Sequence, residues 1–67
     1  MITDEEAAII AKDLAQAEGW PWRIPVSIKK DKKIIVVRTN TKAIGCNIVV
    51  SIDATSGKIL KKSFLPR

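Results

Sequence analysis

Histidine and tyrosine are absent from this 67-residue sequence, and cysteine occurs once, as Cys46. Without histidine, no side chain has an ordinary pKa suited to acid–base catalysis near neutral pH. The common Cys/His zinc sites cannot be built, and no imidazole can activate Cys46 as a nucleophile. A lone cysteine rules out an intramolecular disulfide and fits the reducing cytoplasm. Apolar runs stay far below the ~20 residues of a membrane-spanning helix. The opening Met1-Ile-Thr-Asp-Glu-Glu6 is acidic, the reverse of a signal peptide. There is no Gly-rich phosphate loop. Asp31 and Asp53 fall in separate turns, and the remaining acids crowd into the N-terminal helix, so no paired-carboxylate site is expected. These absences predict a non-enzymatic cytoplasmic protein without metal, cofactor or membrane.

A single domain spanning residues 1–67 is expected. A chain this short buries only about 60% of its unfolded surface. Small scaffolds commonly gain stability from disulfides, metals or partner chains. With the first two excluded, a partner chain is the aid still open, most simply a second copy in a homodimer.

The net charge of +5 is unevenly placed. Residues 1–22 hold five acids against Lys12, whereas residues 23–67 hold eleven Lys or Arg against Asp31 and Asp53. An acidic helix and a basic sheet follow, and a basic surface favours anionic partners. Thr3-Asp-Glu-Glu6 is a capping box, with Thr3 at the N-cap and Glu6 reaching back. Residues 4–18 are rich in helix formers, and Ala7, Ile10, Ala11, Leu14 and Ala17 make one apolar stripe. Gly19 suits the position just past the helix end.

Gly19-Trp-Pro-Trp-Arg-Ile-Pro25 carries two prolines in five residues, which excludes a helix. Trp20 and Trp22 either close the core where helix meets sheet or form a stacking platform on an interaction surface. Strands are expected at 26–30, 33–39, 46–53 and 58–63. The first pair is joined by a turn at Asp31-Lys32, and the second and third by a loop from Asn40 to Gly45. The last turn, Asp53 to Gly57, combines an aspartate that can accept amide hydrogen bonds with a glycine free to take positive φ. It suits a type I turn closed by a glycine bulge. The expected fold class is α+β: one N-terminal helix packed on a four-stranded antiparallel β-meander, in two layers. Its buried sheet face is expected to hold Val26, Ile28, Ile35, Val37, Cys46, Ile48, Val50 and Ile52. Phe64 and Leu65 belong to a packed tail ending at Pro66 and Arg67.

The segment Asp53-Ala-Thr-Ser-Gly-Lys-Ile-Leu60, the strand Ile48-Val-Val-Ser-Ile52 before it, and the helix Thr3-Asp-Glu-Glu-Ala-Ala-Ile-Ile-Ala11 resemble the PepSY family. That resemblance implies a helix on an antiparallel sheet and a binding or inhibitory role. PepSY domains occur in propeptides of thermolysin-like proteases and in cell-envelope proteins. The acidic N-terminus, and the lack of an anchor or attached protease, shift the expectation here from protease inhibition to protein binding. Small toxin-immunity proteins look similar in their helix and final hairpin.

Two surfaces are candidates for function. With Ile35 and Val37 facing the helix, Ile34, Val36 and Arg38 face away, and Val49 shares their phase. Ile34, Val36 and Val49 are expected to form an apolar patch rimmed by Lys29, Arg38, Asn47 and Ser51, with Trp20 and Trp22 as possible additions. Nucleic acid is the alternative partner, through Lys29, Lys30, Lys32, Lys33 and Lys42. Strand aromatics, the usual companions of such lysines on single-stranded nucleic acid, are missing.

Overall fold

The computed structural model describes residues 1–66. Arg67, the end of the expected tail, lies outside the described residues. Helix α1 spans Asp4–Glu18, followed by β1 (Val26–Asp31), β2 (Ile34–Thr39), β3 (Asn47–Asp53) and β4 (Ile59–Leu65). The strands form one antiparallel sheet in the order β1-β2-β3-β4, with the helix on one face. The fold is α+β.

Local chemistry explains where the helix begins and ends. The Thr3 hydroxyl accepts from the Glu6 amide while the Glu6 carboxylate accepts from the Thr3 amide, completing the capping box. At the other end Gly19 takes φ +76°. The Trp20 amide donates to the Ala15 carbonyl and the Gly19 amide to that of Gln16, a Schellman closure. The chain then continues through a cis Ile24–Pro25 bond into β1.

Ile35, Val37, Ile48, Val50 and Ile52 are fully buried against Ala7, Ala11 and Ala15, with Ala54 completing the core. Three alanines at four-residue spacing let the helix axis approach the sheet closely. The helix lies over the two central strands, β2 and β3. Ile2, Ile10, Leu14, Val26, Ile28 and Ile59 pack around this centre half-buried.

Several expectations need correction. Ala17 is exposed, and Ala15 takes the buried position, because the stripe follows steps of four through Ala7, Ala11 and Ala15. Cys46 is not on a strand face. It takes φ +55° just before β3 and is only partly covered. Thr39 occupies a core site, 1% exposed, and its hydroxyl accepts from the Ile48 amide at 3.0 Å, so its polar atom is satisfied. Phe64 and Leu65 belong to β4, where Phe64 pairs with Ile48 and Leu65 with Asn47. The loop 54–57 is closed by the Gly57 amide donating to the Asp53 carbonyl, and the bulge falls between Ser51 and Ile52 instead of at Gly57.

Candidate interaction surface

The side of the sheet away from the helix is built by strand register. Three cross-strand rows can be followed. Ser27, Arg38, Val49 and Ser63 form one. Lys29, Val36, Ser51 and Lys61 form the next. Asp31, Ile34 and Asp53 form the third, at the hairpin-tip end. Neighbouring strands lie about 4.8 Å apart, so side chains in a row touch or nearly touch. Val36 and Val49 are half-buried at the centre, while Ile34 is 41% exposed.

The structure sets Ile34, Val36 and Val49 on this one face but does not bring all three together at its centre. Ile34 stands between Asp31 and Asp53, which leaves Val36 and Val49 as its middle. Lys29 and Ser51 flank Val36 directly, and Arg38 stands beside Val49. A further cation, Lys61 on β4, closes the frame on the far side. Beside Arg38 and Val49 lies a recess of about 200 Å³ that also involves Thr39, Thr41 and Asn47.

Asn47 borders this recess, but its polar atoms are engaged elsewhere. Its side chain turns into the loop between β2 and β3. Its amide nitrogen donates to the carbonyls of Asn40 (2.9 Å), Thr39 (3.1 Å) and Ala43 (3.2 Å), while its oxygen accepts from the Gly45 amide at 2.7 Å. The Asn40 side chain adds a bond to the Gly45 carbonyl. Two asparagines thereby satisfy a loop in which Asn40, Gly45 and Cys46 all take positive φ. Ile44, at its tip, is 92% exposed.

Trp20 and Trp22 lie on the helix side, packed against the core. Trp20 stacks on Phe64 with ring centroids 5.2 Å apart and planes 11° from parallel. They close the core where helix meets sheet and do not contribute to the open face. All three aromatics of the sequence sit in the covered layer.

The lysines divide. Lys32 and Lys33 form the β1–β2 tip, Lys29 lies on the open face, and Lys30 has the opposite phase on the edge strand. Lys42 belongs to the β2–β3 loop at the other end of the sheet, so the five do not make one patch. Lys62 also has the covered-side phase and pairs with Glu18 at the end of α1. Both groups are substantially exposed, so the pair tethers the helix end weakly.

Asp53 is bonded into the turn that follows it. Its Oδ1 accepts from the amides of Thr55 (2.8 Å) and Ser56 (3.2 Å). These bonds, that to Thr55 first, hold its carboxyl below the ordinary aspartate range, with smaller help from Lys33 and Lys58. Among the described residues, no group of three or more His, Cys, Asp or Glu side chains could hold a metal ion, and no helix is long and apolar enough to cross a membrane. No family model, curated protein or solved structure matches the chain.

Proposed function

We propose that this chain is a non-enzymatic, cytoplasmic protein-interaction module whose open sheet face is its working surface. One observation carries the reading: the two central strands are apolar on both sides at their middle, where Val36 and Val49 stand on the open face. Ile34-Ile-Val-Val37 and Ile48-Val-Val50 are unbroken apolar runs, the pattern of strands covered on both faces. The edge strands differ, with Lys29 and Lys30 in β1 and Lys61 and Lys62 in β4. Edge lysines discourage strand-to-strand pairing, which leaves the face as the route to association. A small apolar centre with a polar and cationic rim is the anatomy of a protein interface. The likeness of the Asp53–Leu60 and Thr3–Ala11 segments to PepSY domains supports a binding role and not a catalytic one.

Nucleic acid is a second reading, favoured by Lys29, Arg38 and Lys61 on the same face. It is the weaker because the stacking rings lie in the other layer.

Sedimentation of the wild type and of Val36→Glu, at tens of micromolar, tests the first reading. The wild type is expected to exceed monomer mass and the variant to fall towards it, with the thermal melt little changed. A variant with wild-type mass and stability would remove this face as the working surface. Oligonucleotide binding by a monomeric wild type, weakening steeply with salt and lost in Arg38→Glu, would favour the second reading.

A further inference from the structure

We infer that the occupant of the open sheet face is the outer face of α1 from a second copy of this chain. The inference rests on the open face being the working surface and names what covers it. The covered face already shows the sheet accepting a helix across β2 and β3. On the open face the same two strands present Val36 and Val49, framed by Lys29, Arg38 and Lys61. The outer side of α1 is its complement. Glu5, Ile9 and Asp13 follow one another at steps of four and so share a stripe. Ile9 is 59% exposed, an apolar residue with an acid one turn before it and another one turn after.

Charge selects this arrangement over the twofold dimer. Pairing two open faces about a twofold axis brings together two surfaces that each carry Lys29, Arg38 and Lys61 around Val36 and Val49, with Asp31 and Asp53 set apart at the hairpin-tip end, and like charges across an interface are repulsive. Setting α1 on the open face places Glu5 and Asp13 among those cations and Ile9 over Val36 and Val49. The dimensions agree. A helix of 15 residues is about 22 Å long, and the molecule measures 32 × 23 × 17 Å, so its broad side accommodates it. The contact joins different surfaces of the two copies. Each added copy offers a fresh open face, so association continues beyond the dimer unless a ring closes.

Complementation tests this directly. Ile9→Lys spoils the helix side and keeps the sheet side; Val36→Glu does the reverse. Each variant alone is expected to sediment as a monomer, while the wild type at low salt grows beyond a dimer and shrinks as salt is added. An equimolar mixture of the two variants is expected to form a one-to-one pair of twice the monomer mass and stop there. Arg38→Glu, at an exposed position, replaces Val36→Glu if the latter folds poorly. If Ile9→Lys assembles like the wild type while Val36→Glu does not, α1 is not the occupant, yet the open face remains the working surface. If Val36→Glu and Arg38→Glu both assemble like the wild type, both readings fail. A wild type that stays monomeric at every concentration overturns self-association.

Discussion

Asp53 holds the last turn of the chain through one carboxylate oxygen that accepts two backbone amides. Those bonds favour the charged form, so its pKa in the folded protein lies below that of the unfolded chain. The resulting stabilisation is complete above the unfolded value of about 3.9 and disappears as pH falls through the folded value. Asp53→Asn keeps an acceptor but removes the charge. Its thermal melt is expected below that of the wild type at pH 7, with the gap closing as pH drops below about 4. A gap that stays constant from pH 7 to pH 3 would show that the charge plays no part. At this scale the role of Asp53 was legible because an aspartate four residues before a glycine is turn chemistry. Cys46 was not. Its alternation with Ile48, Val50 and Ile52 is real, but positive φ at residue 46 takes it out of the strand, and periodicity carries no sign of φ. The buried place of Thr39 was open to inspection, since it continues the phase of Ile35 and Val37. So was the outward place of Ile9, since it lies two residues from both Ala7 and Ala11, about 200° around the helix from each.

The elements were legible because each has chemical punctuation. The capping box and Gly19 bound the helix, and turn residues separate the strands. Besides the start of β3 at Asn47, the reach of β4 differs from expectation. Pro66 does stop it, but pairing with β3 draws Phe64 and Leu65 into the ladder, and cross-strand pairing is not a local property. Two glycines separate backbone strain from crowding. Gly19 at φ +76° faces open space, whereas a Cβ on Gly57, at φ +78°, would meet the Ile10 Cδ1 at 3.3 Å and the Ile2 Cγ2 at 3.5 Å. Both Gly→Ala substitutions impose a left-handed conformation on a residue with a Cβ, at about 1–2 kcal/mol each. Gly57→Ala is expected to lose the more in urea unfolding, because Ile10 must also shift. Wild-type stability in Gly57→Ala would contradict the turn geometry described here.

At the scale of the molecule, one helix covers one side of a sheet whose central strands carry Val36 and Val49 at the middle of the other. The uncovered side was legible in outline from the phase of Ile34, Val36 and Val49. Its limits were not, because the placing of Ile34 between Asp31 and Asp53, and of Lys61 beside Ser51, depends on register across three strands. The asymmetry of charge along the chain becomes an asymmetry of layers, acidic on the helix and cationic on the open face. The most direct test follows the backbone amides of the full chain by NMR as its concentration rises at low salt. Val36, Arg38, Val49 and Ser51 are expected to shift together with Glu5, Ile9 and Asp13, while Lys32 at the hairpin tip and Ile44 in the β2–β3 loop stay fixed. Shifts confined to the tip or to that loop, with Val36 and Val49 unmoved, would contradict the assignment of the open face.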